Sequence, residues 1–188
     1  ILVAAVALVL VPEGAAALPP LAALAAFGAG GLVFFALDRM IERRGGAVAM
    51  LMAMVVDFIP ESLALGAMLA EGSETAILMA VLIGLQNLPE GFNAYREVAA
   101  TGRLAPGRIL AAFAALALLG PLAAIAGWSM LAGEAGLLGG IMLFAAGGIL
   151  YLTFQDIAPQ VPRKNHWAPP LGAVAGFMLG LAGQLLLI

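Results

Sequence analysis

The sequence predicts an all-helical protein threaded several times through a membrane. Three observations carry that prediction. The chain has 188 residues, of which 64% are hydrophobic and only 10% charged, whereas a soluble domain carries roughly 25% charged residues. Its apolar runs reach about 20–25 residues, enough to cross ~30 Å of hydrocarbon with some tilt. Its basic residues fall only at alternate breaks between those runs. Runs this long and continuous are helices, not the alternating segments of about ten residues that build an outer-membrane barrel. The fold class expected is an all-α polytopic bundle, one transmembrane domain over 1–188 with no soluble domain appended.

The spans follow in order from the polar punctuation. The first run, about 1–11, is a partial span ending at Pro12-Glu13-Gly14. It lacks the basic flank of a signal peptide, so the chain is expected to start inside a transmembrane helix. The second, 20–40, contains the small-residue run GAGG (28–31), which suits close helix packing better than phosphate binding. It ends near Asp38 and Arg39. The third, 46–70, holds Met50, Met52 and Met54, which read as apolar filler, and then the stretch Asp57-Phe58-Ile59-Pro60-Glu61-Ser62. The fourth, 75–98, holds Gln86-Asn87-Leu88-Pro89-Glu90-Gly91, Asn93 and Glu97. The fifth, 107–131, has no acid at all. The sixth, 136–160, has a Gly147-Gly148 pair and ends near Asp156. The seventh, 169–188, closes the chain.

The charges give a topology. All eight basic residues lie at alternate connections: Arg39, Arg43 and Arg44, then Arg96, Arg103 and Arg108, then Arg163 and Lys164. The intervening connections, around 12–19, 71–75 and 132–135, have only Glu13, Glu71, Glu74 and Glu134. By the positive-inside rule the Arg-bearing side is cytoplasmic and the C-terminus is outside, as expected for an integral protein of the plasma (inner) membrane. A missed or extra helix would have scrambled the alternation. The net charge of −3 and the lack of a dense basic cluster argue against nucleic acid, so the expected surroundings are membrane lipid. Cysteine is absent, which excludes disulfides, iron–sulfur clusters and thiolate metal sites.

Two internal echoes stand out. DFIPES and QNLPEG share a form, a Pro-Glu pair with a polar residue three positions before the proline. More weakly, the first run, ending VPEG, echoes the sixth, ending DIAPQV. Those two ends face opposite sides, which hints at an inverted repeat of the kind common in transporters.

The chemistry lies in the first echo. Asp57 and Glu61 stand about eleven and fifteen residues from the start of their span, and Gln86 and Glu90 stand equally deep in the next. At ~1.5 Å per residue all four fall near the bilayer midplane, and residues four apart share a face. A midplane acid costs on the order of 2.5–3.5 kcal/mol even on the lenient insertion scale. Three of them cost roughly 8–10 kcal/mol and repel one another. Every Lys and Arg lies at a span end, so the charge is left to a proton or to a bound cation. Asp, Glu and Gln oxygens are ligands for divalent ions. Pro60 and Pro89 cannot donate to the carbonyls of Val56 and Leu85. A kink is expected at each, with freed carbonyls lining a cavity. Asn87, Asn93, Glu97 and Asp156 mark a possible path to the cytoplasmic side. The lone His166, in the loop RKNHW, reads as a solvated side chain. No HExxH and no Ser–His or Ser–Lys pairing lies at midplane depth, so no enzyme is expected.

At its two Pro-Glu motifs the chain resembles the ZIP family of divalent-metal transporters (Zrt/Irt-like proteins), which carries His-Asn-x-Pro-Glu-Gly on its fourth helix and His-Glu-x-Pro-Glu-Gly on its fifth. GAGGLVFFALDRMIERR is similar to the family's third helix, FAAGGILYLTFQDIAPQ to its seventh, and the first run to the end of its second. The resemblance implies an eight-helix bundle, of which the first helix and part of the second are absent from this chain, with both termini outside and two copies paired in the membrane. It also implies a divalent metal ion as substrate, held by Asp57, Glu61, Gln86 and Glu90. The departures are specific: Asp57 and Gln86 stand for the two histidines, Phe58 for the asparagine and Asn87 for the acid of the fifth-helix motif. One metal site is expected instead of two, with preference moved from zinc towards manganese, ferrous iron or magnesium. The expected function is import of a divalent cation by alternating access. The alternative is a proton-linked transporter or sensor of the same fold whose substrate is not a metal.

Overall fold

The computed structural model describes residues 1–42, 47–160 and 168–187. The side chains of Met50, Met52, Met54 and Asp156, together with Arg43, Arg44, Arg163, Lys164 and His166, lie outside the described residues. All regular structure among the described residues is helical. The helices are α1 (Leu2–Ala16), α2 (Pro20–Glu42), α3 (Ala47–Ala70), α4 (Ala76–Ala100), α5 (Pro106–Met130), α6 (Ala135–Leu152, prolonged through Thr153–Ile157 and Ala158–Gln160) and α7 (Ala168–Leu187). Four segments are long and apolar enough to cross a membrane: Pro20–Met40, Pro106–Met130, Ala135–Gln155 and Ala168–Leu187. The other two long helices, α3 and α4, hold the polar strips.

Outward faces are apolar, as a lipid-embedded surface requires. Leu21, Leu24, Leu185 and Leu186 are each more than 70% exposed, positions that water would penalise and hydrocarbon does not. The core lies where α1, α3, α4 and α6 meet, through Val9, Leu10, Met68, Met79, Leu82, Met142 and Ile149. Around it, α2 lies along α6 and the second half of α5 lies along α3.

Those two helix pairs are locked in the same way. A Cβ on Gly30 would strike the carbonyl oxygen of Phe144, and one on Gly147 would strike that of Phe27. Likewise, a Cβ on Gly66 would strike the carbonyl oxygen of Ala124, and one on Gly127 that of Leu63. In each pair the two helices present a glycine one turn from the residue whose carbonyl receives the partner's glycine. Lipid offers no hydrophobic drive between helices, so this backbone-to-backbone approach is what binds them.

Short turns close the bundle. Gly72 (φ +67°) ends α3 in a Schellman motif, with Ser73 N donating to Met68 O at 2.9 Å and Gly72 N to Leu69 O at 3.3 Å. The Arg-free connections gather at one end. Thr75 Oγ1 donates to Glu13 Oε1 at 2.7 Å, and Gly133 N to Glu71 Oε1 at 3.1 Å. Near the opposite ends of α2 and α6, Tyr151 Oη donates to Asp38 Oδ2 at 2.9 Å, so the phenol is a partner of Asp38 there.

Helix bounds match the expected spans to within about two residues, with one correction. The first run does not end before Pro12-Glu13; α1 continues to Ala16. The cause is a π turn at Val6–Leu10, which ends two residues before the proline. The wider turn accommodates the ring and the missing N–H that would otherwise break an α-helix. Helix α6 has a matching π turn, Thr153–Ile157, with Pro159 two residues beyond it as Pro12 is beyond Leu10. The weaker sequence echo is therefore also an echo of backbone conformation.

Gly66→Ala is expected to destabilise the protein by about 1–3 kcal/mol through overpacking. Gly28→Ala, where nothing lies within 4 Å of the added carbon, is expected to leave stability unchanged. Denaturant unfolding of both variants in detergent checks the contrast.

Candidate cation site

Among the described residues, the buried polar side chains are Asp57 (7% exposed), Glu61 (0%), Ser62 (4%) and Gln86 (3%). Three of them are the sequence-predicted positions. They lie near the middles of α3 and α4, adjacent antiparallel helices joined by the tight turn after Ala70. The one-turn spacing of Asp57 and Glu61 puts both on the inward face of α3, and Gln86 meets Glu61 from α4. Ser62 was missed by sequence reasoning, because a lone hydroxyl on an apolar helix can bond its own backbone and gives no signal.

The central contact joins α3 to α4. Gln86 Nε2 donates to Glu61 Oε1 at 2.8 Å and to Glu61 Oε2 at 2.6 Å. Two acceptors beside it have no partner: Asp57 Oδ1 and Gln86 Oε1, both buried. Native interiors rarely leave such atoms unpaired, and a bound cation, proton or water is the usual resolution. Among the described residues, no Arg or Lys is among the groups acting on Asp57, Glu61 or Glu90.

Glu90 is half-buried, near enough for its charge to act on both Asp57 and Glu61. The expected meeting of three carboxylates at one point is not fully formed. Among the described residues no three His, Cys, Asp or Glu side chains are gathered tightly enough to grip an ion. What is assembled is a carboxylate–amide pair with an adjoining carboxylate, and Glu90 flanks it.

Pro60 and Pro89 lie inside α3 and α4, and both helices continue through them. A third proline was passed over in the sequence. Helix α5 is interrupted at Leu118, between Pro106–Ala117 and Leu119–Met130. Pro121 lies just beyond, and its missing N–H frees the carbonyl of Ala117. Next to this break the ring of Phe58 packs on Gly120, where an added Cβ would contact the ring's Cζ. An apolar ring therefore fills the space beside the acids on that side.

The candidate path residues are less well placed. Asn87 is half-buried, and its Nδ2 donates to Ile83 O of its own helix at 2.8 Å. Asn93 and Glu97 are exposed and not drawn into the buried strip; Glu97, seven residues beyond Glu90, keeps its face of α4 but lies two turns nearer the helix end. Asp156 lies outside the described side chains.

Compared with protein-family models, with curated proteins and with solved structures, the chain matches none. The reading of the site rests on its own geometry.

Among the described residues, Gln86 is the hydrogen-bond partner of the Glu61 carboxylate, and Gln86→Leu removes it. It is expected to cost at least about 1–3 kcal/mol, the penalty for an unsatisfied buried acceptor, and more if Glu61 stays charged. Asn93→Ala, on the exposed side, is expected to stay within about 0.5 kcal/mol of the parent. Chemical denaturation in detergent separates the two.

Proposed function

We propose that the protein transports a divalent metal cation of the Mn/Fe/Zn class from outside into the cytoplasm. The observation that supports this best is the pair of buried, unpartnered acceptors, Asp57 Oδ1 and Gln86 Oε1, set against a fully buried glutamate on which, among the described residues, no Arg or Lys acts. Hard oxygen donors at half-depth in a helical bundle suit a divalent cation in transit. In this reading Asp57, Glu61, Gln86 and Glu90 form one site, and Glu90 swings in from its half-buried position to complete it. The carbonyls that Pro60 and Pro89 leave without a donor, those of Val56 and Leu85, would add polarity near the site. The absence of an acid on α5 and the Phe58 ring against Gly120 favour one ion over two.

The motion proposed is alternating access, with one group of helices moving against another about the site. The glycine locks support such a division. They join α2 to α6 and α3 to α5, while the Glu61–Gln86 pair ties α4 to α3. The sidedness, with Arg39, Arg96, Arg103 and Arg108 in the cytoplasm, rests on the positive-inside rule. Membership of the ZIP family and pairing of two copies rest on the motif resemblance.

A second reading is favoured by the same orphan oxygen: a proton on Asp57 would also satisfy it, giving a proton-linked transporter or sensor of a non-metal substrate. Proton movement that chelators leave unchanged would select it.

Asp57→Ala and Glu90→Ala are each expected to lower uptake of Mn²⁺ into liposomes by about tenfold or more, the loss of at least about 1.4 kcal/mol of cation binding. Parent-like uptake by both variants would refute the site. In a competition series of Mn²⁺, Fe²⁺, Zn²⁺, Cd²⁺ and Mg²⁺, Asp57→His is expected to move preference towards Zn²⁺, because imidazole is the softer ligand.

A further inference from the structure

A single nitrogen lying 2.8 Å and 2.6 Å from the two oxygens of one carboxylate stands nearly equidistant from both. It therefore sits at the notch between them. That notch is the position a cation takes when a carboxylate chelates it. The Gln86 amide thus stands where an ion bound bidentately by Glu61 would have to be. The other end of the same amide, Oε1, is buried and unpartnered, as is Asp57 Oδ1 one turn from Glu61 on α3.

We infer that Gln86 is a positioning residue that fills the chelating notch of Glu61, so that the cation is bound by Asp57, Gln86 Oε1 and Glu90 while Glu61 stays behind the amide as a fixed counter-charge. This inference rests on the cation reading above. Glu61 then acts through its neighbour. Its negative charge polarises the amide to which both its oxygens are bonded, which makes Oε1 a stronger donor to the ion. The arrangement also selects by ion type. Ca²⁺ takes six to eight oxygens and favours a bidentate carboxylate, whereas a smaller, octahedral ion such as Mg²⁺ accepts few protein oxygens and keeps several waters. With the notch closed, the site suits an octahedral ion of the Mg²⁺ or Mn²⁺ kind and disfavours Ca²⁺.

Infrared difference spectra of the purified protein, recorded with and without one equivalent of Mn²⁺, read this directly, because a carboxylate's stretching bands shift when it binds a metal. In the parent, Mn²⁺ is expected to shift bands that persist in Glu61→Gln. In Glu90→Gln labelled with ¹³C-glutamate, given enough Mn²⁺ that the unlabelled Asp57 carboxylate band shifts and so reports occupancy, no labelled band is expected to shift. That second variant answers the question even if Glu61→Gln does not fold. As a selectivity readout, Gln86→Ala, which clears the notch, is expected to raise Ca²⁺ binding relative to Mn²⁺ several-fold. A Mn²⁺-dependent band that disappears in Glu61→Gln, or a labelled shift in Glu90→Gln, would overturn the positioning role and leave the cation site standing. No Mn²⁺-dependent carboxylate shift in the parent would overturn the cation site itself, and this assignment with it.

Discussion

A glutamate with no exposed surface, held at both oxygens by one glutamine amide, sets the terms for the rest of the structure. A buried acid without a cationic partner is tolerated only if its lone pairs are met and its surroundings are polar. Glu61 meets the first condition through Gln86, which fixes how α3 and α4 face each other. It meets the second by having Asp57 and Glu90 near it, and so gathers Asp57, Glu61 and Gln86, three of the four buried polar side chains among the described residues, into one place. The hydrocarbon-facing helices are free to be almost wholly apolar because the polar groups have been drawn to this point.

The scaffold that bears this centre is held by shape. Lipid chains are as apolar as leucine, so apolar contact alone does not choose a helix partner in a membrane. Reciprocal glycines one turn from the opposing carbonyl do choose it. They fix both the crossing point and the axial register of α2 on α6 and of α3 on α5. Because the locks operate within those pairs, shifts between the pairs need not break them. The alternating access proposed for the site would use that separation.

Backbone irregularity is concentrated in the same helices. π turns precede Pro12 and Pro159, and a break precedes Pro121. Proline at membrane depth is accommodated by such local adjustments. The matching turns of α1 and α6 suggest two halves built on a common plan, with α3 and α4, each carrying its own Pro-Glu pair, between them.

Much of this was legible in the chain. The helical class and the bounds of the long helices followed from apolar run length, because one-dimensional hydropathy is sufficient where lipid is the solvent. Asp57, Glu61 and Gln86 were legible as an inward strip because acids at that depth have nowhere else to go and a spacing of four residues puts them on one face. The continuation of α1 past Pro12 and the interruption of α5 at Leu118 were not, since both depend on how a local turn widens or breaks around a proline ring. Nor was the division of labour within the site. Which oxygens are bonded and which stand free is set by the relative rotation and height of two helices. Sequence alone specified an all-helical chain with segments long and apolar enough to cross a membrane, and with its acids near helix ends and near the middles of α3 and α4. Only tertiary packing decided that Gln86 would spend its amide on Glu61 and leave Asp57 open, because that choice turns on fractions of an ångström between residues 25 positions apart.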